Sequence, residues 1–349
     1  MKLTQRARRA AAATAMAVVI GGGGVAAGAA ITGASSPPAA ASTPAPASYA
    51  DVVSHVLPSV VQIRTPAGLG SGVVLDTAGN IVTNAHVAGN AATFQVQLAS
   101  DPAPREARLV GSYPPDDLAV IRVGDPSGLQ PASFGDSGKV RAGDVVLAVG
   151  NPLGLSSSVT EGIVSATGRA VTEPTSGGSP AGALPGAIQT SAPINPGNSG
   201  GALVTAAGQV IGIPTLAAAS PGGGAQAQGI GFAIPSNLAR DIARQLTESG
   251  HVTNSHRAAL GAQVTTVTGQ DGAPAGAGIV AVTSGGPADK AGLRPGDVIT
   301  AAGTGRTPDD TALSQALTAA RPGQQVTLAI TRGAQQLTVP VTLGELPGS

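Results

Sequence analysis

A serine set among glycines, a histidine after a strand-like run and an aspartate at the mouth of another such run occur in an order that suits acyl transfer. The serine lies in Gly197-Asn198-Ser199-Gly200-Gly201, the histidine in Thr83-Asn84-Ala85-His86-Val87 and the aspartate in Asp116-Asp117-Leu118-Ala119-Val120-Ile121. A hydroxyl is a poor nucleophile near neutral pH, so an imidazole must accept its proton and later pass it to the leaving amine. His86 suits that task. The imidazole needs a carboxylate on its other nitrogen, to fix the tautomer and stabilise the cation that forms. Asp117 directly abuts the apolar run Leu118 to Val123 and is the stronger choice; Asp116 stands one residue further off. A tetrahedral intermediate also calls for N–H donors. Gly197 and Ser199 can supply them, since glycine tolerates the positive φ such a turn requires.

Each piece alone is ordinary. A Gly-Asn-Ser-Gly-Gly stretch is more often a plain loop, a single histidine is more often structural, and an aspartate before a strand is often a turn former. The ordered combination of roles carries the argument. The chain has four histidines, and only His86 lies in an Asn-Ala-His context after apolar runs, Gly72 to Leu75 and Ile81 to Thr83. His251 and His256 have no neighbouring acidic cluster, which argues against a metal site.

The elements that must position these groups are short. From Tyr49 to Pro235 strand-like runs are predicted at Val60 to Arg64, Gly72 to Leu75, Asn80 to Thr83, Thr93 to Leu98, Leu118 to Val123, Val145 to Val149, Val159 to Ser165, Ala202 to Val204 and Val210 to Ile213. Many short strands between glycine-rich turns argue for a β-barrel or sandwich. Ala50 to Leu57 reads as a short helix stopped by Pro58. Two stretches, Thr172 to Gly186 and Thr215 to Gly229, read as long soft loops rich in Gly, Pro, Ala and Ser. After Pro235 the period changes: Ser236 can cap a helix carrying Leu238, Ile242 and Leu246 on one face, with Gly250 as its stop. This helix reads as a linker leaning on a domain. From Leu260 to Leu343 five strand-like runs and a helix from about Asp310 to Ala320 form a small α+β module.

The chain has 349 residues, room for two domains, and 42% are hydrophobic. With two tyrosines, three phenylalanines, no tryptophan and 51 glycines, its cores must be packed with Val, Ile, Leu and Ala. Nineteen basic and nineteen acidic residues cancel, leaving no electrostatic footprint for nucleic acid. The absence of cysteine excludes disulfides, thiol catalysis and thiolate metal sites. At the start, Lys2, Arg6, Arg8 and Arg9 precede an uncharged apolar stretch from Ala10 to Ile31, then an Ala/Ser/Pro-rich segment. Residues 1–34 therefore read as a signal peptide or an N-terminal membrane anchor and 35–48 as a linker. Positive charge ahead of the span places the remainder of the chain outside the cytoplasm, in the cell envelope or secreted.

Several motifs together resemble one family. Thr-Asn-Ala-His-Val, Asp-Leu-Ala-Val-Ile, Gly150-Asn151-Pro152-Leu153-Gly154, Thr160-Glu161-Gly162-Ile163-Val164-Ser165 and Ile194-Asn195-Pro196-Gly197-Asn198-Ser199-Gly200-Gly201-Ala202-Leu203 are similar to the HtrA serine proteases. Gly286-Pro287-Ala288-Asp289-Lys290-Ala291-Gly292-Leu293-Arg294-Pro295-Gly296-Asp297-Val298-Ile299 resembles the signature of a PDZ domain. The resemblance implies a mainly β chain: a trypsin-like double β-barrel at 49–240, a linker helix and hinge at 241–256, and one α+β PDZ domain at 257–345. It implies a triad of His86, Asp117 and Ser199 between the barrels, an oxyanion hole from Gly197 and Ser199, and loops beside the site that switch between resting and competent states.

The same resemblance sets substrate expectations. Pro193 stands where a trypsin-like pocket holds its acid, which disfavours a basic P1 and favours a small aliphatic one. Ile230-Gly231-Phe232-Ala233-Ile234 is expected to wall the subsite and pair with substrate backbone. Leu260, Gly261 and Ala262 stand at the carboxylate-binding loop of the PDZ fold, with Leu313 and Leu317 on its groove helix, so that peptide C-termini add as a strand. Two departures, Gln189-Thr190-Ser191-Ala192-Pro193 where the family commonly has an acid, and Leu153 for a phenylalanine, bear on the rigidity of the activation loops. The implied protein is a cofactor-free endopeptidase of protein quality control acting on unfolded or damaged proteins. Assembly as a homotrimer is implied too, with Tyr49 as the aromatic residue near the start of the protease domain. The alternative is a non-catalytic peptide-binding scaffold or holdase; the presence of all three chemical groups speaks for the enzyme.

Overall fold

The computed structural model describes residues 48–66, 68–151, 158–172, 183–195, 197–219 and 226–347. The expected signal or anchor segment and Leu153 lie outside them. Among the described residues no helix is long and apolar enough to cross a membrane.

After a short helix α1 (Tyr49–Val56), closed at its start by a reciprocal Ser48–Asp51 capping box, twelve strands form two closed barrels. The first contains β1 (Val60–Thr65), β2 (Gly68–Val74), β3 (Asn80–Thr83), β4 (Thr93–Leu98), β5 (Asp101–Tyr113) and β6 (Leu118–Val123), in the order β1-β2-β3-β6-β5-β4. Between β3 and β4 lies the one-turn helix α2 (Ala85–Ala88). The second barrel contains β7 (Val145–Gly150), β8 (Ser158–Thr172), β9 (Ala183–Thr190), β10 (Ala202–Thr205), β11 (Val210–Ala219) and β12 (Gln226–Pro235), in the order β10-β11-β12-β9-β8-β7.

Several strands read as unbroken apolar runs because both of their faces are buried. Side chains alternate across a strand, so neighbours must point in opposite directions. Val61, Val74, Ile81, Ala119 and Ile121 fill the first barrel, and Val146, Ala148, Leu203 and Ile211 fill the second. Their chain neighbours Val60, Val73, Val82, Val120, Leu147, Val149, Val204 and Ile213 meet in a third cluster between the barrels. Each fully buried branched side chain there contributes about 1.5–3 kcal/mol relative to exposure. The inter-barrel seam is thus built of small aliphatic wedges, and the chemical groups sit along it.

Helix α3 (Ser236–Ser249) corrects two expectations. Its N-cap is Pro235, not Ser236, whose buried hydroxyl instead donates to the Gly135 carbonyl at 2.8 Å. The helix leans on the barrels as expected, Ala239, Ile242, Ala243 and Leu246 belonging to the seam cluster itself, but the expected boundary at 240 falls within it. Gly250 ends it in the left-handed region at φ 76°, as its sequence suggests. The two soft loops are also shorter than expected. Strands β8 and β9 run into the first from both sides and β11 and β12 into the second, so that the parts at 173–182 and 220–225 alone lie outside the described residues.

The C-terminal module contains β13 (Ala258–Ala259), β14 (Ala262–Thr268), β15 (Pro274–Val282), α4 (Pro287–Lys290), β16 (Val298–Ala302), β17 (Gly305–Arg306), α5 (Asp310–Thr318), β18 (Gln325–Arg332), β19 (Gln335–Thr342) and β20 (Gly344–Glu345). Its main sheet runs β14-β15-β16-β18-β19, with β13 and β20 paired separately. Asp297 anchors the turn into β16 by accepting from both Arg332 Nε and Nη2, at 2.6 and 2.7 Å.

Candidate active site

His86 is delivered to the seam by β3, which ends at Thr83, and by α2, whose N-cap is Asn84. Asp117 arrives from the other direction. The turn Pro114–Asp116 leaves it in the left-handed region at φ 50°, ψ 43°, before β6 begins. A non-glycine residue there is uncommon and must be held by its surroundings. Asn84 does part of this, its buried side-chain N–H donating to the Asp117 carbonyl at 3.1 Å.

The Asp117 carboxylate is enclosed by donors. His86 Nδ1 lies 3.0 Å from Oδ1 and 2.8 Å from Oδ2, and the His86 backbone N–H donates to Oδ1 at 2.9 Å. The Thr215 hydroxyl donates to Oδ2 across the seam. The His86 side chain is 45% exposed and the Asp117 side chain 4%, so the ring faces the cleft while its carboxylate is shielded behind it. That disposition gives the imidazole one fixed nitrogen and an open side.

Ser199 follows Gly197, whose φ of 107° requires glycine. The Asn198 N–H turns back to the Asn195 carbonyl at 3.0 Å, and Ser199 Oγ donates to the Thr215 carbonyl at 3.1 Å. Thr215 therefore joins Ser199 to Asp117 and through it to His86. Among the described residues, the N–H groups of Gly197 and Ser199 have no backbone acceptor.

Asp116, the weaker choice for the carboxylate, points elsewhere. It is fully buried, and its Oδ1 accepts from Arg257 Nη1 at 2.9 Å. The same guanidinium nitrogen donates to the Pro115 carbonyl. Burial pushes the Asp116 carboxyl up to about 6, against the opposing pull of Arg257 and of His256 nearby. Its Oδ2 and the Tyr113 hydroxyl are buried without a hydrogen-bond partner among the described residues.

The substrate-wall residues are partly redistributed. Gly231 and Phe232 are buried and Ile230 is exposed, but the backbone from Gly231 to Ala233 pairs with β11 on one side and β9 on the other. This strand has no ladder edge left there for substrate backbone, so it can serve as a wall and not as the pairing strand. Pro193 is exposed, and its carbonyl accepts from Thr160 Oγ1 at 2.7 Å. Ile194 lies under Gly231, where a Cβ would come within 2.4 Å of its Cγ1.

In the C-terminal module, Leu260 and Leu313 are buried in the hydrophobic core, which corrects the expectation that Leu313 faces a groove. Leu317 is half-buried against the same core. Gly261 takes φ 70° and its carbonyl accepts from Thr283, while Ala262 opens β14 opposite Val282. Thr215, Ser71 and Asn84 were not singled out from sequence; the Pro-Pro-Asp-Asp stretch ahead of β6 was the available hint that Asp117 sits in a tight turn its neighbours must hold.

Two six-stranded barrels with such a cluster on their seam, followed by a small mixed module, define a trypsin-like serine protease fold with an appended PDZ domain. The sequence profile of the trypsin-like peptidase domain matches residues 70–213 and that of the PDZ domain matches residues 258–343. The chain belongs to the HtrA family of serine endoproteases. It is 40% identical over 284 residues to the periplasmic pH-dependent serine endoprotease DegQ of Escherichia coli K12, covering 79% of this chain and 59% of that protein. It is 36% identical over 323 residues to the serine endoprotease DegS of Salmonella typhimurium, covering 87% of this chain and 88% of that protein. The solved HtrA-type protease AlgW with a decapeptide matches with a TM-score of 0.58 at 34% identity, covering 86% of this chain and 99% of that one. Against DegQ and the E. coli periplasmic serine endoprotease DegP, the chain spans somewhat more than half the relative's length, 59% and 56%.

Proposed function

We propose that this chain is an endopeptidase that hydrolyses peptide bonds in unfolded or damaged proteins, with His86, Asp117 and Ser199 as its triad. The Ser199 hydroxyl turns from the Thr215 carbonyl to His86, which takes its proton as Oγ attacks the scissile carbonyl. The oxyanion is received by the N–H groups of Gly197 and Ser199. Collapse of the intermediate expels the amine, which takes the proton back from His86, and water then cleaves the acyl-enzyme by the same route. Asp117 holds Nδ1 and stabilises the imidazolium throughout. The carrying observation is the enclosure of Asp117 by two donors from His86 and one from Thr215.

The buried Ile194 beneath Gly231 supports an apolar subsite for a small aliphatic P1. The module at 257–345 is proposed to tether peptide C-termini at the loop Leu260-Gly261-Ala262, with Leu317 on the flanking helix. The peptide-bound AlgW supports this. A barrel unit at 49–240 with its hinge at 241–256, a homotrimeric assembly and a location outside the cytoplasm, anchored or secreted, complete the proposal. The periplasmic relatives support the location.

Purified protein incubated with unfolded casein should degrade it, and Ser199→Ala should abolish the degradation. Cleavage that persists in Ser199→Ala rejects the nucleophile; no cleavage by the unaltered protein under any activating condition favours the holdase reading.

A further inference from the structure

His86 and Asp117 come from the first barrel, whereas Ser199 and the oxyanion donors come from the second, so a contact across the seam must set their registry. Ser71, on β2 and fully buried, supplies it with every polar group it has. Its N–H donates to the Ser199 carbonyl at 3.0 Å and its Oγ donates to the Gly197 carbonyl at 2.6 Å. The same Oγ accepts from the Asn151 N–H at 2.9 Å, at the end of β7. Its carbonyl accepts from Thr83 Oγ1 at 2.7 Å, and Thr83 is the buried residue that ends the strand leading to His86.

One residue thus grips the carbonyls of both Gly197 and Ser199, the first through its hydroxyl and the second through its backbone N–H. The space around these grips is closed. A Cβ at Gly200 would come within 2.2 Å of the Ser71 carbonyl oxygen and 2.5 Å of Thr83 Oγ1. A Cβ at Gly150 would come within 2.5 Å of the Gly197 carbonyl oxygen. The glycines do not merely loosen the nucleophile turn; they let it press against Ser71 and Thr83, so that the peptides 197–198 and 199–200, on either side of the one that carries the Ser199 N–H, are held.

We propose that Ser71, held by Thr83, is a positioning residue that orients both oxyanion donors relative to His86. The inference rests on the triad reading above. A group that only orients the donors acts on the transition state and leaves ground-state peptide binding alone. Loss of a single oxyanion donor costs on the order of 100- to 1000-fold in kcat, and misorientation of the pair should cost about 10- to 100-fold.

The test compares Ser71→Ala, Thr83→Val and Thr83→Ser on a peptide substrate, and measures their inhibition by a peptidyl boronate, which forms a tetrahedral adduct. Ser71→Ala and Thr83→Val should lower kcat by about 10- to 100-fold with KM within about twofold, and weaken the boronate by a similar factor. Thr83→Ser, which keeps the hydroxyl, should restore both. Unchanged kcat, a loss falling on KM, or Thr83→Ser as impaired as Thr83→Val would overturn the proposal. Because Thr83→Val is nearly isosteric, the comparison stands even where Ser71→Ala folds poorly. Cleavage by Ser199→Ala would sink the triad reading instead.

Discussion

At the scale of single residues, Thr215 carries two connections at once. Its hydroxyl meets Asp117 and its carbonyl meets Ser199. A hydrogen bond to a charged group is worth about 1.5–3 kcal/mol. Thr215→Val should therefore lower kcat by about 10- to 100-fold, while Thr215→Ser stays near the unaltered enzyme; steady-state kinetics on a peptide substrate read the difference. The sequence singles out His86, Asp117 and Ser199 as candidates because few residue types can do such chemistry and each lies in a distinctive local context. It does not single out Thr215 or Ser71. Thr215 opens a stretch that reads as a soft loop and Ser71 stands just ahead of a strand-like run, and the partners that define them lie 98 and 126 positions away.

At the scale of elements, α3 works as a clasp laid over the seam. Its end leaves no room at Gly111 of β5, where a Cβ would stand 2.6 Å from the Gly250 carbonyl oxygen and 2.9 Å from Leu246 Cδ2. Gly111→Ala should destabilise the fold by about 1–3 kcal/mol through overpacking, seen as a lower denaturation midpoint at unchanged slope. The apolar period of α3 and its leaning on a domain were readable, but the inter-barrel seam it covers was not. Amphipathicity says that one face is covered without saying by what. Strands β5 and β9 escaped the sequence reading for a different reason. Both carry prolines, and β5 also carries the charges of Asp101, Arg105, Glu106 and Arg108, so neither shows the period of two that marks a half-buried strand. Closure of each barrel supplies the pairing their sequences do not advertise.

At the scale of the molecule, the contact between Arg257 and Asp116 joins the start of the C-terminal module to the turn that carries Asp117. Tyr113, His256 and Arg257 face Asp116, and Glu345 lies beyond Tyr113. Because the folded carboxyl is raised, folding favours its protonated form. The stability this contributes is complete below the ordinary value of 3.8 and is lost as pH rises through about 6. Relative to Asp116→Asn, the unaltered protein should therefore lose unfolding free energy across that window and then level off; denaturant titrations at a series of pH values check it. Arg257→Ala should be more damaging than Asp116→Asn near neutral pH, because it leaves a buried charge without its partner.

The same guanidinium bears on how the chain can be taken apart. Expressing the barrels by themselves, with the polypeptide stopped short of residue 257, strips Asp116 of its counter-ion and the Pro115 carbonyl of its donor in one cut. Reduced turnover in such a fragment would then report damage to the backbone under Asp117 as much as the loss of a peptide-tethering surface, and grafting a foreign C-terminal domain would inherit the same defect unless an arginine came with it.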